Sequence, residues 1–501
     1  MSRRGFVAGA AAAGAVLALP KRARASGQQP SITIVGGGVA GLNCALNLRD
    51  LGYDSTVYEA SGRLGGRMFS NTNYWAAGQV SEWCGELIDT GHKTIRQLAA
   101  RYGLPLDNLH AAEPNNSEET YFFDGQYYPK AQADADFLAI FDQLNTDSND
   151  AGYPTTWDSY TTRGFQLDHT TVYDYIDQLI PGGHGTPLGQ LLDVAYNIEF
   201  GAETNLQSAL NLIYLLAFQP TDDSLDMFGE SDEKFHVRGG NQQIPLAIAN
   251  DIGNQVKTSH SLCRVRQTPG GRYTCTFQRN NGSIDVTSDI VVFALPFAVL
   301  AGIDTSNAGF DARKNDAIQH LGRGHSGKLQ MQFDARIWNN HGPWPHKSNG
   351  TSYADTGYQS SWDVTRAQPG TQGILVQYSG GNTTDAMRTN VPFTTVQADY
   401  NVQRDINHGF PLLSQTFPGL SWNGRATQSL PAKSEYFNLA YSYWKKGQYT
   451  SFGGYEGTRI ANLFFCGEHT SQDFQGYMEG GAGTGEKVAK HIARRIENGN
   501  V

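Results

Sequence analysis

Cysteine is scarce, with five in 501 residues: Cys44, Cys84, Cys263, Cys275 and Cys466. None forms a CxxC pair and no His/Cys zinc spacing accompanies them, so buried packing is favoured over metal ligands or a disulfide framework. Long apolar runs are also lacking. The stretch from Val7 to Pro20 is shorter than the roughly 20 residues that cross a bilayer comfortably, and no other segment is as apolar. Stable membrane insertion is therefore not expected. Positive charge is the minority: 38 Lys and Arg against 48 Asp and Glu, a formal net charge of −10. Nucleic-acid binding needs a basic footprint and is argued against. An acidic surface suits cationic partners weakly and solubility mainly. No internal repeat and no low-complexity segment appears beyond an alanine-rich beginning.

The chain is long enough for two domains and a large core. Ser2-Arg3-Arg4-Gly5-Phe6-Val7 is a twin-arginine pattern, followed by the apolar stretch and by Ala23-Arg24-Ala25, a small-x-small cleavage form. Residues 1–25 read as a twin-arginine signal peptide. The expectation is export, to the periplasm or the medium, by a route that carries proteins already folded.

The 57 glycines cluster in motifs. Ser31 to Val35 is a β-branched run that predicts a buried strand, Val39 to Leu51 a helix stopped by Gly52, and Ser55 to Tyr58 a second strand. This βαβ unit requires a parallel sheet. Between its first strand and helix lies Gly36-Gly37-Gly38-Val39-Ala40-Gly41. Gly36 permits the tight turn, Gly38 lets a pyrophosphate approach the backbone, and Gly41 lets helix and strand pack closely. Glu59 ends the second strand, where an acid binds ribose hydroxyls and repels a 2′-phosphate, which argues against NADP. Arg63-Leu64-Gly65-Gly66-Arg67 follows, with guanidinium groups on either side of a glycine pair (Arg63, Gly66 and Arg67 among them) suited to a pyrophosphate. This second motif separates FAD from NAD proteins.

From about Thr90 to Glu230 the pattern changes to polar, aromatic-rich helices, such as Thr171 to Ile180 and Leu206 to Phe218. Gly239-Gly240 opens a helix near Ile244 to Ile252. Asn281-Gly282 predicts a hairpin between Arg272–Phe277 and Ile284–Val286. Ile290 to Ala294 predicts a strand, and residues 304–455 are strand-rich. Leu463 to Phe465 predicts a last strand, leading through a Gly-rich turn into a closing helix from Gly485 to Ile496. The expected fold is α/β: a discontinuous Rossmann-like FAD-binding domain (residues 30–90, 235–303 and 456–501), of the kind found in glutathione-reductase-type flavoproteins. A mixed-sheet and helical substrate-binding domain (91–234 and 304–455) accompanies it.

The most specific pattern lies near the C-terminus. Phe465-Cys466-Gly467-Glu468-His469-Thr470 with Gly476-Tyr477-Met478-Glu479-Gly480 resembles the closing motif of the flavin-containing amine oxidases: monoamine, polyamine and L-amino-acid oxidases, here of a bacterial exported type. Glu82 to Ile88, Arg238-Gly239-Gly240-Asn241, Ala294-Leu295-Pro296 and Gly447-Gln448-Tyr449-Thr450 resemble further pieces of that family in order. The likeness covers nearly all of the chain after the leader. It implies cofactor contacts from Gly467, Glu468 and Met478. It implies an aromatic cage of Tyr449 and Tyr477 that aligns substrate with the flavin. It also implies that Lys328 approaches flavin N5 through water. The implied reaction oxidises an L-amino acid or primary amine to the imine by hydride transfer to N5, with oxygen reduced to hydrogen peroxide. Keto acid or aldehyde and ammonia follow on hydrolysis.

Among substrates the balance leans slightly to L-amino acids, with monoamines and polyamines as alternatives. The snake-type enzymes place a carboxylate-binding arginine where this chain has Leu87, so that clamp is in doubt. Arg238 is a candidate for a carboxylate, or serves the cofactor instead. Glu86 is a candidate for the second charge of a diamine, or a plain supporting acid. A flavin desaturase or isomerase and a non-enzymatic flavoprotein are the readings from other classes. Whether the chain forms a homodimer is left open. Some monoamine oxidases bind FAD through a cysteine just before the first cage tyrosine. Here that residue is Gln448, which implies non-covalent FAD. The purified protein is therefore expected to release intact FAD on acid or heat denaturation; flavin that stays with the precipitated polypeptide would refute this.

Overall fold

The structure, a computed structural model, describes residues 29–221 and 223–501; the leader at residues 1–25 lies outside them. Five strands form a parallel sheet in the order Leu463–Phe465, Ile290–Phe293, Ile32–Val35, Thr56–Tyr58 and Val256–Lys257. Its middle strands, ITIV and IVVF, are buried along their whole length, as a sheet covered on both faces requires. Pairing of Ile32 with Ile290 and of Val291 with Leu463 unites pieces from the beginning, middle and end of the chain.

The helices Val39–Asp50 and Met478–Glu497 pack against each other beside this sheet. The closing helix begins seven residues earlier than its sequence predicts. Glu479-Gly480-Gly481-Ala482-Gly483 is not a turn but its first turns. The reason is close packing. A Cβ on Gly480 would stand 2.0 Å from the Phe474 carbonyl oxygen, and one on Gly485 would stand 2.2 Å from that of Ala40. Glycine here lets the helix fold back against its own preceding turn at Gly480 and touch the Val39–Asp50 backbone at Gly485, and that gain outweighs its poor helix propensity.

The hairpin around Asn281-Gly282 is present with longer arms, Tyr273–Arg279 and Gly282–Ser288. Ser261–Gln267 extends it, and Gly282 sits at φ +101°. A second, eight-stranded sheet holds Ser326–Phe333 between Gly373–Gly380 and Trp422–Ser429. Alternation along Ser326–Phe333 gives it two characters. Leu329, Met331 and Phe333 enter an apolar core with Trp338 and Phe417. Lys328, Gln330 and Gln332 turn to the segment Ala76–Glu86 and hydrogen-bond it.

Helices capped by Thr161, Thr171, Thr186 and Ser208 cover one flank, each cap accepting from a backbone N–H in the first turn. The Pro187–Phe200 helix ends at Gly201, in the left-handed region at φ +62°, and there meets the central strand. A Cβ on Gly201 would lie 2.5 Å from the Ser326 hydroxyl. That junction fixes the last helical residues, Glu199 and Phe200, at the wall of the cavity described below.

Gly485→Ala is expected to destabilise the protein by about 1–3 kcal/mol through overpacking against Ala40. Gly483→Ala, whose Cβ would meet only the Thr94 hydroxyl at 3.5 Å, serves as the control. It should be neutral or stabilising by up to about 1 kcal/mol. Equal melting temperatures for the two variants would refute the close-packing account.

Candidate active site

A cavity of about 1440 Å³ runs between the parallel sheet and the eight-stranded sheet. One arm is built from the glycine turn. Gly36, at φ +115°, has no room for a side chain because the Ala294 carbonyl oxygen would be 2.5 Å away; Gly41 is barred likewise by the Gly36 carbonyl at 2.1 Å. Gly38 differs. Its Cβ would meet nothing nearer than the Gly66 Cα at 3.9 Å. The protein leaves that space to a ligand, at the N-terminus of the twelve-residue Val39–Asp50 helix, where anions are favoured. Glu59 accepts from the Gly37 N–H at 2.7 Å and from Ser61, so it braces the turn while facing the same arm.

Arg63 donates to the Gly66 carbonyl at 2.8 Å and lies over the Phe69 ring at 3.9 Å. Arg67 donates to Glu468 at 3.0 Å and to the Ala440 carbonyl. Burial opposes the Glu468 charge, but Arg67 and the Ser442 hydroxyl hold its carboxyl below the usual value. Gly467 lines this arm with them, and the first helical residue Met478 faces the cavity. His469 also lines it. Burial pushes its imidazole down to about 4, so it is neutral, and neither ring nitrogen has a partner among the described residues. A neutral donor–acceptor, two guanidinium groups, an acid and an open glycine cradle fit a flavin adenine dinucleotide.

Lys328, Glu86, Met478 and Tyr477 meet at the corner between the two arms. Lys328 Nζ donates to Glu86 at 2.6 Å and to the Cys84 carbonyl at 2.8 Å; the Trp362 indole donates to the other Glu86 oxygen at 2.9 Å. Burial opposes the Glu86 charge, yet Lys328 and the indole keep its carboxyl below the ordinary value. The structure thus gives Glu86 two donors from the protein itself rather than turning it to a substrate.

The second arm is acidic. Glu113, Glu118, Glu119, Glu199, Asp226, Glu230, Asp232 and Glu233 line it. Burial, with Asp89 and Glu199 nearby, pushes Glu233 up to about 8. Arg366 pairs with Glu113 at 2.7 Å and Lys130 with Asp134, so these two cations are committed, while Lys234, on the same wall, lies 5.7 Å from the Phe235 ring. Tyr477 donates to Glu199 at 2.9 Å, and Tyr441 lines the wall, hydrogen-bonded to Ser326 and Tyr378.

Two residues named from the sequence are not brought to this cavity. Tyr449 is buried behind it. Its hydroxyl donates to Asn211 at 3.0 Å and its ring packs on Trp444 at 4.4 Å, facing a separate compartment of about 40 Å³. Tyr441, not Tyr449, is the tyrosine from this stretch at the main wall. Arg238 is on the surface, with its side chain 68% exposed, because Asp107 on the neighbouring Leu106–Asn108 strand binds it twice. Gln448 donates to the His320 carbonyl and does not line the cavity. The acidic wall was missed, although the charge run at Glu230-Ser231-Asp232-Glu233 is visible in the sequence. Glu199 ends an ordinary-looking helix and carries no such signal.

Fold and cavity together fit a flavoprotein with a nucleotide arm and a second, acidic arm. The sequence profile of the flavin-containing amine oxidoreductases matches residues 39–493, and the chain belongs to that family. An L-amino acid dehydrogenase of Synechocystis sp. is 23% identical, covering 92% of this chain and 94% of its own. A flavin-containing amine oxidase of Danio rerio is 21% identical over 92% of this chain and 85% of its own. Cyclohexylamine oxidase from Brevibacterium oxydans superposes with a TM-score of 0.75 at 20% identity, covering 94% of this chain and all of that one.

Gly38→Val should yield a soluble, folded protein without flavin, since the side chain would occupy space left for the pyrophosphate while its Cβ comes no nearer than 3.9 Å to the protein. Wild-type flavin content in the variant would sink the assignment of this arm.

Proposed function

We propose that the protein is an FAD-dependent oxidase of amines that carry a second positive charge, diamines or polyamines, forming the imine and passing the electrons to oxygen. The observation that supports it is the acidic arm leading from the Lys328 corner, with Glu233 pushed up to about 8 beside Asp89 and Glu199. A distant ammonium would add the counter-charge that Arg366, paired with Glu113, does not supply in full. This moves the slight lean towards L-amino acids to diamines, because Arg238 is outside the cavity and Arg366 already serves Glu113. A basic L-amino acid is the second reading, favoured by the name of the Synechocystis relative.

A flavin held by Gly36, Gly38, Arg67, Gly467 and Glu468 would supply the acceptor for a hydride from the carbon beside nitrogen, and on this reading its electrons would pass to oxygen. The chain's own residues position and desolvate. Tyr477 and Tyr441 wall the corner and fix the amine's approach. Glu199, held by the Tyr477 hydroxyl, stands where it can take a proton from the amine nitrogen. Lys328 and Glu86 form a closed pair that keeps a fixed donor at the corner without a loose charge. The twin-arginine pattern at Arg3-Arg4 supports export of the assembled holoenzyme, and comparing the flavin-loaded protein in cell and medium tests that.

The test is a screen of monoamines, diamines, polyamines and amino acids, following peroxide and, in parallel, a dye acceptor. Diamines or polyamines should be preferred and oxygen should be consumed; dye reduction without peroxide would make the enzyme a dehydrogenase. Glu233→Gln should weaken diamine binding about ten- to a hundredfold, the worth of a charged hydrogen bond of about 1.5–3 kcal/mol. Below about pH 8 the wild-type carboxyl is held protonated, so wild-type affinity should rise as pH climbs towards that value. The variant should lose this rise. Unchanged affinity in anaerobic flavin-reduction titrations would refute the role of Glu233.

A further inference from the structure

An amine meets this cavity mostly as an ammonium ion, which has no lone pair to stabilise the carbon that loses hydride. A proton must therefore leave the nitrogen first and must reach solvent. On the amine-oxidase reading above, the substrate's remaining charge fills the acidic arm, so that arm is a poor exit for a second cation.

The compartment of about 40 Å³ behind Tyr477 offers another route. At its inner end are Glu199, Tyr477 and Gln475, which line the main cavity too. At its outer end are Gln472 and Asp473, both exposed, and Tyr153, whose hydroxyl donates to Asp473 at 2.9 Å. Between them the wall carries the Thr155–Tyr214 hydroxyl pair, 2.7 Å apart. Gln475 is 9% exposed, and neither atom of its amide has a hydrogen-bond partner among the described residues. Such a group is costly to bury dry. A water needs roughly 10–15 Å³ and two to four polar partners, and this compartment provides both.

We propose that this compartment is a water-mediated proton exit, in which Glu199 takes the ammonium proton and a water held by Gln475 carries it out beside Asp473. The step balances without any oxidant. The ammonium N–H bond breaks, its electron pair stays on nitrogen, and the Glu199 carboxylate becomes a carboxylic acid. The acid then returns the proton to water and is a carboxylate again. Glu199 faces Glu233 and the hydroxyls of Tyr353, Tyr378, Tyr441 and Tyr477, so its surroundings are acids and phenols that favour release of the proton outward only if water is at hand. Gln475 is a positioning residue in this scheme, and Glu199 the group that touches substrate.

The experiment is anaerobic reduction of the holoenzyme's flavin by the best amine of the screen, across pH, for wild type, Gln475→Leu and Asp473→Asn. Gln475→Leu should slow reduction at least about fivefold near neutral pH, with the deficit closing as rising pH delivers neutral amine. Asp473→Asn should show a smaller deficit that imidazole or formate buffer repairs. A deficit equal at every pH, or wild-type rates in both variants, would overturn the relay. So would a crystal structure of the holoenzyme with no water on the Gln475 amide. Should Gln475→Leu fail to hold flavin, the buffer rescue of the surface variant decides. If the wild type oxidises no amine, the functional reading falls and the relay with it; amine oxidation with pH-independent variants removes the relay alone.

Discussion

Glu82 is fully buried, and its carboxylate binds the Ser70 hydroxyl, the His236 imidazole and the Asn241 N–H. Its backbone carbonyl accepts from Gln330 at 2.8 Å and lies 3.4 Å from Lys328 Nζ. One residue thus ties the short Ser70–Asn71 strand with which its own Ser81–Glu82 strand pairs, the loop after the Phe235–Val237 strand, and the Ser326–Phe333 strand of the second sheet. Burial opposes protonation of His236, but the Glu82 partner holds its imidazole above the ordinary value. An ion-like contact of this kind is strongly destabilising to break from one side, because the other partner is left buried alone. Everything at the corner hangs from it: Cys84, Glu86 and Lys328 are placed within a few residues of these anchors.

The nucleotide half was legible because its chemistry is local. A tight turn, a close phosphate and a helix start need glycine at fixed spacing, and those positions are written in consecutive residues. The Gly-rich stretch before Gly485 was misread for a related reason. Glycine signals a turn when its neighbours are exposed and a helix contact when another backbone lies against it, and only the fold tells which. The substrate half was far less legible. Tyr449 and Tyr441 are both tyrosines a few residues from a tryptophan, and their sequence context does not say which ring reaches the cavity. Trp444 decides it by packing on Tyr449 and holding that ring behind the wall. Arg238 sits in a motif that resembles the family, yet Asp107 on a distant strand claims it.

Glu86 and Glu233 show how one side chain takes opposite parts within one cavity. Both lie where burial disfavours charge. Glu86 has a lysine at 2.6 Å and an indole N–H, and these outweigh burial. Glu233 has Asp89 and Glu199 as neighbours, and these add to burial and outweigh the opposing pull of Arg366. The first is an anion already complete and holds Lys328 in place. The second is an anion in waiting, whose ionisation is favoured only when a cation enters. A substrate-binding acid must be of the second kind, since a carboxylate satisfied by the protein has little left to give a ligand.

The same reasoning bears on why the acidic arm does not simply fill with protein cations. Lys234 on the same wall packs by the Phe235 ring at 5.7 Å, and Arg366 and Lys130 are each paired with another carboxylate, the pull of Arg366 on Glu233 being outweighed by burial and by Asp89 and Glu199. Moving Arg366 or Lys130 to Glu233 would relieve one buried acid and strand another, with no net gain in paired charge. An external ammonium changes that balance, because it brings charge without leaving a deserted partner inside the protein. Its own desolvation cost is offset by several acids at once rather than one. Selectivity for a cationic substrate then follows from an excess of acid over base along the wall, a property of the wall as a whole and not of any single residue.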